Sequence, residues 1–280
     1  MRSSEWIQIG FATLLALAGW MTSFTTRPLP LRRRWIITGL AVAAIVIVAL
    51  ARWTGFFLPQ QYQSILRDWL TVALFLIPYW QTGQFFLGPN VRIQKQLLAF
   101  DRRMLHDIAT KSGTERSPVG FLFEVAYLFC YPFVPLGLAA MYATGLRSKV
   151  SSFWLVVLVS TYICYAITPF VPAFPPRALI GDLGPAAESS ENVNKGRIFN
   201  RWILKHGSIH AISFPSAHVA SALAVALVLL RFSPLIGLVF LVVAILISIG
   251  AVIGRYHYAL DVLLGAATAI LVFLASYRYL

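Results

Sequence analysis

Charged residues are scarce in this chain of 280 residues: 12% are Asp, Glu, Lys or Arg, whereas 59% are hydrophobic. The mean hydropathy of +0.75 is too high for a soluble globular domain. Among the charged residues the acidic ones are the fewer, 10 Asp and Glu against 23 Lys and Arg, which gives a net charge of +13. Because these cations lie in short segments between apolar runs, they are typical of topology-determining and headgroup-binding charges, and nucleic-acid binding is not expected. We therefore expect a polytopic membrane protein.

Cysteine is also nearly absent. The chain has two, Cys130 and Cys164, and each falls within an apolar run. This usage does not suggest a disulfide framework. We expect both residues to be buried packing residues.

Apolar runs that approach the length needed to cross a bilayer of ~30 Å occur eight times. The first is longer than the apolar region of a signal peptide, so we expect an uncleaved helix. In the third run Pro78, Gln81, Gly83 and Gln84 interrupt the second half, which makes it a weak span, a half-span or a re-entrant segment. The eight runs cover residues 6–25, 35–51, 69–87, 119–144, 151–170, 216–232, 234–254 and 258–277.

Two features are expected to modify this simple series of spans. Pro132 and Pro135 predict a kink in the fourth run, since each proline ring removes one helix hydrogen bond. Residues 91–108 predict an amphipathic helix on the membrane surface, with a solvated linker as the alternative. Its apolar residues recur at helical spacing, and its cations lie between them: Ile93, Leu97, Phe100, Met104 and Ile108, with Arg92, Lys95, Arg102 and Arg103.

Two polar clusters each open a long apolar run. The first is Phe214-Pro215-Ser216-Ala217-His218, and the second is Arg255-Tyr256-His257-Tyr258-Ala259-Leu260-Asp261. Ionisable groups next to lipid are energetically costly and tend to mark function. Because two apolar runs separate the clusters, the chain returns to the same membrane face. We interpret the pair as an active site.

The first cluster is suited to binding an anion. Pro215 fits the first turn of a helix, so residues 216–218 are expected to present free backbone N–H groups, to which phosphate binds readily. Ser216 adds a hydroxyl group. The guanidinium of Arg177, on the long loop before this cluster, can clamp two phosphate oxygens, and Arg255 approaches from the second cluster. The expected ligand is a phosphoryl group.

The second cluster places His257 and Asp261 four residues apart, on one face of a helix. The carboxylate can hold one imidazole nitrogen, which leaves the other free to act as a nucleophile, an acid or base, or a metal ligand. With His257 as nucleophile, His218 can protonate the leaving oxygen and later activate the acceptor.

Other interpretations stay open. In a proton-coupled transporter, His218, His257, Asp261 and Glu124 would form a relay, but their clustering at one membrane face favours an enzyme. A catalytically silent lipid-binding relative is a further alternative. Two histidines and a carboxylate are also a possible zinc ligand set, although the adjacent arginines would repel a cation. No cofactor is expected.

Three further polar residues, Glu124, His206 and His210, lie outside the two clusters. Glu124 is the single charged residue between Val119 and Gly145, and it needs a partner at that depth. A structural partner is favoured over a catalytic role. His206 and His210 are interpreted as interfacial residues, with a contribution to an acceptor site as the alternative. The run Arg197-Ile198-Phe199-Asn200-Arg201-Trp202 predicts a short interfacial helix.

Three segments resemble the signatures of the type 2 phosphatidic acid phosphatase superfamily. They are Pro175-Pro176-Arg177, Phe214-Pro215-Ser216-Ala217-His218 and His257-Tyr258-Ala259-Leu260-Asp261. The resemblance covers roughly residues 119–277. The two N-terminal runs, the Pro-Pro-Arg form and the His-Tyr-x-x-Asp form are similar to the inositol phosphorylceramide synthase branch, and many bacterial members of unassigned substrate look alike.

The resemblance implies metal-independent chemistry on a lipid-linked phosphate or pyrophosphate, through a phosphohistidine. His257 would be the nucleophile, Asp261 would orient it, and His218 would be the general acid. Arg177, Ser216 and the backbone at Ala217 would hold the phosphate, and Arg255 is a further candidate for that role.

The departures from the signatures concern mainly cations. Phe170 stands seven residues before Arg177, where the family has lysine, and Ala178 replaces a proline. Ala217 replaces a glycine, and Gly250-Ala251 replace the Ser-Arg pair that usually opens the third signature. Fewer cations weaken the expected grip on a doubly charged phosphomonoester, which favours a diester-like donor or a pyrophosphate, and slightly favours transferase chemistry.

The expected fold is an all-α polytopic bundle of about eight transmembrane helices with a six-helix phosphatase-like core. Residues 1–60 are predicted to hold two N-terminal transmembrane helices. Residues 61–280 are predicted to form the catalytic membrane domain, with the signatures within 170–265. The oligomeric state is not predicted.

The two indicators of membrane orientation disagree. On eight spans, 16 of the 23 Lys and Arg lie on the active-site side, which the positive-inside rule assigns to the cytoplasm. The resemblance implies a site on the extracytoplasmic side. We expect an integral cell (inner) membrane protein with an extracytoplasmic site, against the charge count.

Overall fold

The computed structural model describes residues 1–24, 28–105, 118–180, 195–209 and 211–280. All α or β elements within these ranges are helices, as predicted. They are α1 Ser3–Met21, α2 Leu31–Trp53, α3 Gln60–Leu74, α4 Leu76–Gly83, α5 Val91–Leu105, α6 Pro118–Leu128, α7 Phe133–Ala143, α8 Val150–Ile167, α9 Lys195–Gly207, α10 Ala217–Phe232, α11 Pro234–Ile253 and α12 Ala259–Ser276.

Each of the eight predicted apolar runs contains helix, and four stretches are long and apolar enough to cross a membrane. A fifth is obtained within the described residues if the bent pair α6–α7 counts as one span. The chain is therefore a polytopic helical membrane protein. The full number of eight spans remains a prediction, because α10 is short and α1 and α3–α4 fall outside this set. The four stretches are Leu31–Phe56, Leu146–Phe170, Pro234–Ile253 and Ala259–Tyr279.

The predicted kink is confirmed: α6 and α7 meet at an angle of 67°. Pro132 lies immediately before α7 and cannot donate a backbone hydrogen bond to continue the preceding helix. The interruption in the third run also has a proline as its cause. It lies at Phe75, between α3 and α4, because Pro78 has no N–H to donate to the carbonyl of Leu74.

The largest apolar core lies between α7, α8, α10, α11 and α12, with α6 at its edge. Helix α10 is central to it, and small residues such as Ala220 and Ala224 are fully buried there. Cys130 and Cys164 lie in this core as buried free thiols, as expected.

A second apolar cluster joins the N-terminal helices α1, α2, α3 and α4. Its polar tie is Gln81, whose Nε2 donates to the carbonyls of Ala12 at 3.1 Å and Ile37 at 2.9 Å. Stacked rings of Phe11 and Tyr162, 4.6 Å apart, join α1 to α8 in the main core. The N-terminal helices thus pack directly onto the rest of the bundle.

The predicted amphipathic helix is confirmed as α5, which ends at Leu105; residues 106–108 lie outside the described residues. Its buried face holds Gln94, Leu97 and Asp101. Its four cations are exposed. The second predicted interfacial segment is also helical, as part of the longer α9, and Phe199 and Trp202 are exposed on it.

Candidate active site

The two polar clusters meet where α10 and α12 begin. The backbone N–H of Ser216 donates to the carbonyl of Asp261 at 2.9 Å. A Cβ atom on Gly265 would lie 2.5 Å from the carbonyl oxygen of Ser216, so this contact requires glycine. The close approach brings the rings of His218 and His257 to a centroid distance of 5.7 Å.

His257 and Asp261 form the pair that their spacing predicts. Nδ1 of His257 lies 3.0 Å from Oδ2 of Asp261, and both side chains are buried. The backbone N–H of His257 donates to the carbonyl of Ala251, where the chain turns from α11 to α12. With Nδ1 engaged by the carboxylate, Nε2 is the ring nitrogen available for chemistry.

Arg177 enters the site from the short turn Pro176–Ile180. Its backbone N–H donates to the carbonyl of Arg255 at 3.1 Å, which ties the first and third signatures together. The side chain is only 1% exposed, yet none of its guanidinium nitrogens has a hydrogen-bond partner among the described residues. A buried cation with unused donors is costly, and an anionic ligand would satisfy it.

Tyr256 forms a platform beneath this arginine. The Cζ atom of Arg177 lies 4.1 Å from the centre of the Tyr256 ring, and the other face of that ring stacks on Tyr127 at 3.8 Å. The Tyr256 hydroxyl donates to Oε2 of Glu124, which also accepts from Nδ2 of Asn200 at 2.8 Å. Glu124 thus has the structural partners that its depth requires, and it does not line the cavity at the histidines.

A small cavity of about 60 Å³, here called the polar cavity, lies between the signatures. It brings together three of the predicted site residues, Arg177, His218 and His257. Sequence reasoning assigned no individual role to the other residues that line it, because packing alone decides that they face the cavity. These include Tyr79, Tyr127, Ser208, Ser213 and Tyr256.

The other predicted phosphate ligands have different contacts. Helix α10 begins at Ala217, so Pro215 lies before the N-cap residue Ser216 and not in the first turn, which corrects the prediction. The Ser216 N–H is paired with Asp261, and the Ala217 N–H donates to Oγ of Ser213 at 3.3 Å. The prediction that the N–H groups of these two residues are free is therefore wrong.

The Ser216 hydroxyl accepts from the Val219 N–H at 3.4 Å, which caps α10. Arg255 has a left-handed, non-helical backbone with φ of 57°. Its side chain does not line the polar cavity, and it acts there through its carbonyl. Phosphate contacts from Ser216, Ala217 and Arg255 remain predictions.

A second cavity of about 340 Å³, here called the apolar cavity, adjoins the first. The two share Tyr79, Ser208 and His218. The bend between α6 and α7 forms one wall, through Cys130, Tyr131, Val134 and Pro135. Its size is ordinary for a ligand pocket.

The remaining histidines lie apart from the histidine pair. His206 is exposed on α9, and its Nδ1 lies 2.8 Å from the carbonyl of Trp202, which fits the interfacial interpretation. His210 lies outside the described residues. In the described ranges, no group of three or more His, Cys, Asp or Glu is placed to hold a metal ion.

These features define a polytopic helical membrane protein in which a buried arginine with unused hydrogen-bond donors lies beside two histidines, one of them oriented by a carboxylate. The family model described as the PAP2 superfamily matches residues 95–275, and the chain belongs to that superfamily. Neither the curated proteins nor the solved structures contain a match. Membership supports a phosphatase or phosphotransferase type of function, and all three signatures fall within the matched residues.

Proposed function

We propose that this protein is an integral membrane enzyme that hydrolyses or transfers a lipid-linked phosphate or pyrophosphate through a phosphohistidine, without a metal. One observation carries the proposal: the buried guanidinium of Arg177 has unused donors and lines the same small cavity as His218 and His257. A phosphoryl group in that cavity would satisfy the cation and lie beside a histidine nucleophile.

In the first step, Nε2 of His257 attacks phosphorus, so a P–N bond forms as the bond from phosphorus to the leaving oxygen breaks. His218 gives its proton to that oxygen. Asp261 holds the proton on Nδ1 of His257, which directs attack through Nε2 and stabilises the charge that develops on the ring.

In the second step, the acceptor is water or an alcohol. His218 removes the acceptor's proton, the acceptor oxygen attacks phosphorus and the P–N bond breaks, which regenerates both histidines. Arg177 neutralises the equatorial oxygens in both steps. We further propose that Ser216, the backbone at Ala217, and Arg255 contact the phosphate once it is bound, which requires a local shift from the pairings described above.

A lipid substrate is supported by the apolar cavity. It shares His218 with the polar cavity, so a phosphate beside the histidines would leave its hydrocarbon chain in apolar surroundings. Cell-membrane location, an extracytoplasmic site and the division at about residue 60 form part of the same proposal.

An inositol phosphorylceramide synthase-like headgroup transferase is the alternative within this chemistry. Phe170, exposed in the turn after α8, stands where the family has a lysine, and Ala251 stands where it has the arginine of the Ser-Arg pair. A phosphodiester carries less charge than a phosphomonoester, so a site with fewer cations suits a diester donor.

The test is an assay of purified protein in detergent with EDTA. Phosphatidic acid, a polyprenyl pyrophosphate, and phosphatidylinositol with ceramide would be supplied separately, and both free phosphate and new phospholipid would be quantified. His257→Ala should abolish turnover, and Asp261→Asn should lower kcat by roughly 10²–10⁴-fold. His206→Ala, which changes an exposed histidine, should retain activity.

The products distinguish the candidates. Phosphate release that is lost in His257→Ala supports a hydrolase, whereas headgroup transfer to ceramide without phosphate release supports the transferase. A phosphoryl group bound to protein that is labile to acid and stable to base, absent from His257→Ala, would support the covalent intermediate. Turnover that is unchanged in His257→Ala would overturn the mechanism.

A further inference from the structure

The apolar cavity is built partly from residues that precede the family match. The match begins at residue 95, yet Val72, Phe75, Leu76, Tyr79 and Trp80 of the α3–α4 segment line this cavity. The remaining walls come from the bend before α7 and from α7, α8, α9 and α10, all within the matched range. One wall therefore belongs to the part of the chain that the family model does not cover.

Tyr79 lies at the junction of the two cavities, since it lines both. Its hydroxyl accepts a hydrogen bond from the backbone N–H of Ile209 at 3.1 Å, which fixes α4 to the segment leading into the second signature. The Ile209 side chain also packs closely against Gly83 of α4, where an added Cβ would lie 2.5 Å from it. The α3–α4 wall is thus held in register with the catalytic residues.

The cavity opens on the side of the bundle. Leu76 is 46% exposed and Trp80 is 44% exposed, although both line it. Side chains that both line a cavity and are open to the outside mark its mouth. A mouth lined by Leu and Trp suits a hydrocarbon chain, since its burial against them is favourable in proportion to apolar area.

We propose that the α3–α4 segment is the element that selects the hydrocarbon chain of the substrate, with Phe75, Leu76 and Trp80 as the specificity-determining residues. The inference rests on the proposed function, because it takes the phosphate to lie at Arg177 and His257. The occupant of the apolar cavity is then the part of the lipid chain next to the phosphate. The continuity of the two cavities at His218 and Tyr79 is what joins headgroup and chain.

The kinetic test compares two substrates that differ in chain length alone: a phosphatidic acid with chains of six carbons and one with chains of sixteen. Trp80→Ala and Phe75→Ala should lower kcat/KM for the long substrate at least tenfold relative to the short one. Trp69→Ala is the matched control, since Trp69 lies on α3 and does not line the cavity. Its selectivity ratio should equal that of the wild type.

A binding measurement tests the inference without turnover. A phosphatidic acid with a diazirine in its chain would be photolysed with the His257→Ala protein, and the labelled peptides identified by mass spectrometry. Label on residues 72–80 that excess unlabelled phosphatidic acid removes, and that diacylglycerol does not, supports the proposal. Label confined to lipid-exposed positions such as Leu235 and Leu271, or label that competitor leaves unchanged, overturns it.

The two readouts also separate this inference from the proposed function. If the wild type turns over both substrates and the selectivity ratio is unchanged in Trp80→Ala and Phe75→Ala, the specificity role is wrong and the enzyme assignment stands. If neither substrate is turned over by the wild type, the proposed function fails with these lipids. The competed label on residues 72–80 then still decides whether this wall contacts the chain.

Discussion

The guanidinium of Arg177 lies over the ring of Tyr256, with Cζ 4.1 Å from the ring centre. The same tyrosine donates its hydroxyl hydrogen to the buried carboxylate of Glu124, so the position of the ring is fixed at its edge as well. A cation–π contact is strongest when it is desolvated, as here. Tyr256 therefore holds in place a cation that no side-chain hydrogen bond from the described residues fixes.

Two substitutions of Tyr256 distinguish the contribution of its ring to anion binding from that of its hydroxyl. Tyr256→Leu removes the cation–π contact, worth about 2 kcal/mol when buried, and should weaken inhibition by vanadate roughly 30-fold. Tyr256→Phe keeps the ring under Arg177 and removes the hydroxyl that donates to Glu124, so it should weaken inhibition much less. Tyr62→Leu, at a position 60% exposed on α3, is the control and should leave inhibition unchanged. Equal effects of Leu and Phe at residue 256 would contradict this account.

Gly265 controls the spacing of the two histidines. Alanine there would put Cβ 2.5 Å from the backbone oxygen of Ser216, so the start of α10 must move away from α12. We expect Gly265→Ala to lower kcat at least tenfold, because moving the start of α10 misplaces His218 relative to His257. Turnover assays would measure this.

The control for Gly265→Ala is Gly39→Ala, on the exposed face of α2, where an added Cβ meets nothing within 4 Å. There alanine should stabilise the helix by about 0.5–1 kcal/mol and leave turnover unchanged. The idea that spacing matters would be abandoned if Gly265→Ala had full activity.

Asp101 should make stability depend on pH. Its carboxylate accepts from the Ala259 N–H at 2.9 Å and caps α12. Burial raises the pKa of Asp101, the hydrogen bond from Ala259 lowers it, and the nearby Asp261 carboxylate adds a smaller upward shift; the net change is from 3.8 to about 6. Between pH 3.8 and about 6, Asp101 is therefore protonated in the folded protein and ionised in the unfolded chain. The contribution of Asp101 to stability then falls as pH rises from 3.8 to about 6 and levels above that.

Thermal unfolding of wild type and Asp101→Asn across that window would measure this contribution. The amide oxygen can still accept from Ala259 but carries no charge, so the variant should gain stability relative to the wild type as pH rises. Asp101→Ala, which leaves the N–H unpaired, should lose stability throughout. A difference between wild type and Asp101→Asn that is constant with pH would refute the titration of Asp101.

The sequence predicts best what depends on nearby residues. The His257–Asp261 pair, the amphipathic α5 and the bend before α7 all follow from spacing or proline chemistry within one helix or turn. The sequence placed Pro215 in the first turn of α10, whereas the helix begins two residues later, at Ala217. The pairing of the Ser216 N–H was also not predictable, because its acceptor is the carbonyl of Asp261 at the start of another helix.

Contacts between distant segments were not predictable in this way. Tyr256 was part of a noted cluster, but its role under Arg177 depends on how the turn at Pro176 packs against the end of α11. Tyr79 gave no local signal at all, since it reaches the site only through the packing of α4. Residues of these kinds are found from the structure because no periodicity or motif encodes their neighbours.

For the lipid substrate proposed above, the mouth beside Leu76 and Trp80 also determines the route of entry. A lipid that enters from the side of the bundle stays in its leaflet and reaches the histidines by two-dimensional diffusion. The reaction rate would then depend on the mole fraction of substrate in the bilayer and not on its amount per volume of solution. Diluting the substrate with inert lipid would slow turnover even though no substrate had been removed.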